Sequence, residues 1–250
     1  MMNTMICRME QLLKEDFVAH NKLSPITKSE TTDITLSTKE RHFEIADINK
    51  ELTLVSLGIA KYDNPNELLV HIVNYDKFVS AFKYKEGTIT AEKRCDAIIY
   101  TEKTKEYFLL NELKEKKMPT EKRRLKVRKG AIEQLKKSLE TICNVKTIKD
   151  YINPFTTRCC CYFNKYAMPP SPSINAITAF NPLKDLTNKV PDEGIEKMGF
   201  ELREYTGKQT FTLKAKANSL SSIADSLYHL PTNEARELSR IIETDYGIKP

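Results

Sequence analysis

Residues 95–116, CDAIIYTEKTKEYFLLNELKEK, hold two apolar runs separated by a short polar segment, and both runs carry charge. Strand-length apolar runs joined by EKTKE predict an antiparallel hairpin over 95–100 and 107–114. Side chains alternate along a strand. Setting Tyr100 opposite Phe108 therefore puts Asp96, Ile98 and Tyr100 on one face with Phe108, Leu110, Glu112 and Lys114. Ala97, Ile99, Leu109, Asn111 and Leu113 take the other face. Asp96 then falls opposite Glu112, and all three charges converge at one end of one face.

Opposed residues place their Cβ atoms about 4.5–5.5 Å apart, so two carboxylates there repel and at least one pKa rises. A hard divalent cation such as Mg²⁺ relieves the conflict, because it takes oxygen ligands and keeps several waters. Lys114, two residues beyond Glu112 on the same side, can orient a bound water or offset charge on a phosphoryl oxygen. These are the parts needed for in-line hydrolysis of a phosphodiester.

Asp96, a hairpin, and then Glu112-Leu113-Lys114 resemble the PD-(D/E)xK, or restriction-endonuclease-like, nuclease superfamily over about residues 65–165. The resemblance extends to a helix over 67–82, the hairpin, a helix over 130–143 and a strand over 157–164. It implies that Asp96 and Glu112 bind catalytic Mg²⁺, for which Mn²⁺ can substitute, with the Leu113 carbonyl as a further ligand. It also implies that Lys114 positions the attacking water. Gln134 in AIEQL resembles a glutamine that some members carry on the following helix, and Ser138, one turn on, is a candidate phosphate contact. Cys95 stands where many members have proline. Asp76 is the best candidate for the acidic residue often found upstream, with Glu67 and Glu86 behind it.

Between Lys114 and Lys137 there are eleven Lys or Arg residues against three Glu, within a net charge of +6 for the 250 residues. Lys117, Arg123, Arg124, Lys126, Arg128 and Lys129 read as a basic connection beside the site that would neutralise phosphates without reading sequence. The composition, 40% hydrophobic and 30% charged, is that of a folded globular chain. Its six cysteines show no CxxC or Cys/His zinc spacing, and Cys159-Cys160-Cys161 belongs to a buried strand in a reducing compartment. The four histidines, His20, His42, His71 and His229, are far apart in sequence, and each is expected on the surface or in a satisfied core position. No secretory signal or long apolar span is apparent, so a cytoplasmic protein without a membrane partner is expected.

Elsewhere a helix is expected over 5–19, a loop over 21–40, strands at HFEIADIN and ELTLVSLGIAKY, and a breaker loop at MPPSPS. A helical turn and two strands follow around Gly207, and a helical tail starts at Leu220. The expected architecture is one α/β domain: a restriction-endonuclease-like mixed sheet flanked by helices, with its core over about 43–215. Helical additions at 1–25 and 220–250 complete it. The expected function is Mg²⁺-dependent hydrolysis of DNA in defence or repair, with a protein partner or homo-oligomer choosing the target. RNA is a further substrate class. The competing expectation is an inactive nuclease-fold module for nucleic-acid binding or assembly.

Overall fold

The computed structural model describes residues 7–26, 34–166 and 188–215. The MPPSPS loop and the tail from Leu220 lie outside them. The hairpin is the centre of the fold. Strands β6 (Ala97–Tyr100) and β7 (Tyr107–Lys114) pair in the expected register, with Tyr100 opposite Phe108 and Ala97 opposite Asn111. They are the middle of a seven-stranded mixed sheet in the order β1-β5-β6-β7-β8-β10-β9. Here β1 is Thr35–Thr38, β5 Val70–Asn74, β8 Thr157–Asn164, β9 Lys189–Val190 and β10 Glu201–Thr206. The strands from β1 to β7 run antiparallel, whereas β7, β8 and β10 are parallel.

A parallel β7–β8 pair needs a crossover, usually helical. It is supplied by α3 (Glu121–Cys143) and α4 (Lys146–Ile152). The helical segment Arg8–Leu12, Leu13–Phe17 and Val18–His20, here α1, has a π-helical middle turn and lies on the same side of the sheet. So does α2 (Tyr75–Ser80). Their apolar faces join Ile98, Tyr100, Phe108, Leu110, Cys160 and Tyr162 in one core.

The opposite face is covered by a second sheet, β11-β4-β2-β3. Its strands are β2 (His42–Ile48), β3 (Glu51–Val55), β4 (Ala60–Asp63) and β11 (Phe211–Thr212). Tyr62 of β4 packs its ring against Phe163 and Phe211 and donates its hydroxyl to Asn111 Oδ1 at 2.7 Å. Strand β7 is thus covered on both sides, and every residue from Tyr107 to Leu113 is buried. Charge in this strand is enclosed by two layers, not one.

Several expectations need correction. Residues 67–82 are not one helix: Val70–Asn74 is a strand buried on both faces, and Asn74 then caps α2 by accepting the Lys77 N–H. Continuous apolar runs fit strand and helix alike; the β-branched Val70, Ile72 and Val73 favour the strand. From Glu121 onward the basic connection is not a loop but the first turns of α3, capped by Thr120. The 21–40 loop contains β1, and ELTLVSLGIAKY is two strands, β3 and β4, not one. The buried CCC strand and the strands flanking Gly207 are as expected.

The Tyr62–Asn111 bond joins the two sheets in a dry interface, where a lost partner costs about 1–3 kcal/mol. Tyr62→Phe is expected to destabilise by that order in urea unfolding, and pairing it with Asn111→Leu to recover part of the loss.

Candidate active site

The site is built from the end of the hairpin outward. Asp96 lies one residue before β6 and is fixed on three sides. Its N–H donates to the Asn111 carbonyl at 3.0 Å, and its own carbonyl accepts the Tyr75 N–H at 3.0 Å. Its carboxylate Oδ2 accepts the Leu113 N–H at 2.6 Å. The neighbouring Cys95 N–H donates to Ser138 Oγ of α3 at 2.7 Å. Burial pushes the Asp96 carboxyl up to about 6, although the Leu113 N–H and the Lys114 ammonium pull it down.

Glu112 is 0% exposed. Its burial, and then the Asp96 charge, drive its pKa well above the carboxylate range, and Lys114 draws it part of the way back. The Lys114 ammonium touches Glu112 Oε1 as an ion pair, yet neither Glu112 oxygen accepts a hydrogen bond of acceptable geometry. Buried carboxylate oxygens without hydrogen-bond donors are unusual and costly. Lys114 also donates to Gln134 Oε1 at 3.2 Å, and Gln134 Nε2 donates to the Arg94 carbonyl at 2.9 Å. The glutamine of α3 therefore holds Lys114 against the segment that leads into Asp96. Asp96, Glu112, Lys114 and Gln134, far apart in sequence, form one connected group.

A second feature adjoins it. A cleft of about 580 Å³ runs along the start of α3 and is lined by Lys93, Lys114, Lys116, Lys122, Arg123 and Lys126, with Thr120, Val127, Gly130 and Gln134. Six cations and no acid border it. Lys114 and Gln134 belong to both the cleft and the acidic site, so an anion held in the cleft lies next to the carboxylates. The oxygen pair of Asp96 and Glu112 suits a hard cation, and the cleft suits a polyanion.

Other expected residues behave differently. Asp76 pairs with Arg94 at 2.8 Å. It is close enough to raise Asp96 and Glu112, but the three carboxylates do not converge as a ligand set: among the described residues, the group of three His, Cys, Asp or Glu donors within 4.8 Å is Cys7, His71 and Glu102. Glu67 pairs with Arg41 before β5, at the far end from the site, and Glu86 is exposed in the loop after α2. Ser138 is 1% exposed and bonds only within the protein, so it braces Cys95 and cannot touch phosphate. Of the six expected basic contacts, Arg123 and Lys126 line the cleft. Arg128 bonds Glu204 at 2.6 Å, Arg124 bonds Glu121 at 3.1 Å, and Lys117 sits over the Tyr166 ring. Lys129 is exposed on α3 and does not line the cleft.

Lys93, Lys116 and Lys122 were missed by sequence, and so was Asp47. Asp47 is carried by the β2–β3 hairpin, whose two-residue turn Asn49-Lys50 has positive φ at both positions, the twist such hairpins require. Asn74 Nδ2 donates to the Lys50 carbonyl at 2.9 Å and brings this turn to the site. Partial desolvation raises the Asp47 carboxyl, the Lys50 N–H lowers it, and Asp76 raises it again. The residue is otherwise exposed.

No protein-family model matches the chain, and neither a curated protein nor a solved structure matches it. The described residues contain no helix long and apolar enough to cross a membrane.

An acid whose pKa is raised by folding holds its proton more tightly in the folded state. Asp96 thus favours folding below its ordinary value of 3.8, and that contribution is lost as the pH rises through about 6. In chelator, Asp96→Asn is expected to raise the unfolding free energy at pH 7.5 by at most about 3 kcal/mol, and to have little effect at pH 4. Thermal melts across this range check it.

Proposed function

We propose that this chain is a Mg²⁺-dependent nuclease, with Mn²⁺ as a substitute, that hydrolyses phosphodiester bonds of DNA on a restriction-endonuclease-like core. One observation carries the reading: a fully buried glutamate, touched by the Lys114 ammonium but accepting no hydrogen bond of acceptable geometry, shares the end of a hairpin with Asp96, beside a cleft lined by cations. The order of hairpin, crossing helix and parallel strand supports the fold reading. The element before the hairpin departs from the resemblance, being a strand and a short helix.

Asp96 and Glu112 would hold the ion, with the Leu113 carbonyl as a third oxygen. A bound divalent ion supplies Lewis acidity at the scissile phosphate and a more acidic water. Lys114, fixed by Gln134, would orient the attacking water and offset charge developing on the phosphoryl oxygens. Arg123, Lys126, Lys93, Lys116 and Lys122 would bind the phosphates along α3. Such contacts hold the backbone without reading bases; target choice would fall to a partner, in defence or repair, and RNA is the alternative substrate.

A second reading has one observation in its favour. Because the Lys114 ammonium touches Glu112, the buried charge has a partner within the chain, as in an inactive nucleic-acid-binding module.

The purified full chain is expected to cut linear, circular or single-stranded DNA with Mg²⁺ and not with chelator. Asp96→Ala, Glu112→Gln and Lys114→Ala are each expected to slow cleavage on the order of 10²-fold or more, with unchanged circular dichroism. The rate should rise with pH as Asp96 and Glu112 give up their protons. Cleavage unaffected by these substitutions removes the assignment; binding without cleavage supports the module. In a salt titration of DNA affinity, Arg123→Ala with Lys126→Ala should flatten the log–log slope by about 2, and Lys129→Ala should not.

A further inference from the structure

We propose that Cys7, His71 and Glu102 bind a zinc-class divalent ion at a second site, independent of the nuclease reading. One ligand atom from each residue, a sulfur, an imidazole nitrogen and a carboxylate oxygen, lies within 4.8 Å of the other two. Cys7 Sγ is 3.2 Å from His71 Nδ1, and Glu102 Oε2 is 3.9 Å from His71 Nε2. The residues come from three places: Cys7 directly precedes α1, His71 is in β5, and Glu102 follows β6. His71 pairs with Tyr100, whereas Asn74 pairs with Ala97 beside Asp96. The cluster is therefore three residues along β5 from the acidic end, about 10 Å away.

A second observation points to the same place. The Tyr100 ring packs on His71 with centroids 5.1 Å apart. Its hydroxyl is buried, has no hydrogen-bond partner of acceptable geometry, and lies beside the Cys7 sulfur. An unpartnered hydroxyl donor beside the sulfur is of more use to a thiolate than to a thiol. Glu102 is also held from outside: its Oε1 accepts the Arg8 N–H at 3.3 Å. Outer partners of this kind orient metal ligands and fix their protonation.

Sulfur and imidazole donors select Zn²⁺ or Co²⁺ over Mg²⁺. Three protein ligands leave a fourth tetrahedral position for water. Binding would release the Cys7 proton to solvent, with no change of oxidation state. The ion would pin the start of α1, whose Met9, Leu12, Leu13 and Phe17 enter the core, to the β5–β6 strand pair.

Cobalt provides the test, because thiolate ligation gives a charge-transfer band that carboxylates cannot. The full chain, stripped with chelator, is titrated with Co²⁺. One equivalent is expected to bring up this band together with tetrahedral visible bands. Zn²⁺ should displace it and raise the unfolding midpoint by about 5 °C or more, and an excess of Mg²⁺ should not displace it. Cys7→Ser should abolish the band with circular dichroism unchanged, and Glu102→Gln should weaken Co²⁺ binding at least about tenfold. Asp96→Asn and Cys143→Ser should keep it. No thiolate band in the folded wild type, or a band that survives Cys7→Ser, overturns the proposal.

Discussion

The structure depends on how a carboxylate can be enclosed in the central strand of a sheet. Strand β7 lies between a helical layer and a second sheet, so the Glu112 side chain is fully buried. Burying an ion this way costs several kcal/mol unless charge and hydrogen bonds compensate it. The chain supplies one ammonium, from Lys114, and places a second carboxylate, Asp96, close enough to undo part of that relief. A structure built for stability alone would have a leucine at this position. The surrounding elements make sense as supports for the charged group. Gln134 steadies Lys114, Ser138 fixes the backbone before Asp96, and Asn74 ties the β2–β3 turn to the same end.

Electrostatics then divide the region into two zones. The acidic zone at the hairpin end offers oxygens to a hard cation. The basic zone along α3 offers ammonium and guanidinium groups to an anion. Lys114 and Gln134 stand at the boundary, which is where a group bridging phosphate and cation would have to lie. Two other basic residues of α3 are spent on protein contacts: Arg128 on Glu204 and Arg124 on Glu121. Charge counted along the sequence overstates what faces the cleft, and misses Lys93, which approaches from another segment.

The hairpin was legible because its register follows from alternation and one anchor, Tyr100 with Phe108, and a slip of one residue would have turned Asp96 and Glu112 away from each other. Residues 67–82 were misread because Leu68, Ile72, Tyr75, Val79 and Phe82 recur at helical spacing, although a strand and a helix abut at Asn74. The start of α3 was hidden by Pro119 and a charge-dense first three turns without an apolar stripe; Thr120 was the available signal, as an N-cap. Asp47 could not be found from sequence, since only the Asn49-Lys50 turn and its docking on Asn74 bring it near. Cys7, His71 and Glu102 were equally hidden. Their proximity follows from the β1–β5–β6 pairing and the docking of α1, and no local spacing encodes it.

The central claim is that Asp96 and Glu112 together hold a divalent ion. Crystals of the protein soaked in Mn²⁺ and measured at the manganese edge test it most directly. The account requires an anomalous peak within ligand distance of carboxylate oxygens from both residues, with Lys114 turned from Glu112 toward the cleft. A density map with Mn²⁺ bound elsewhere, and the Lys114–Glu112 pair intact, would contradict it.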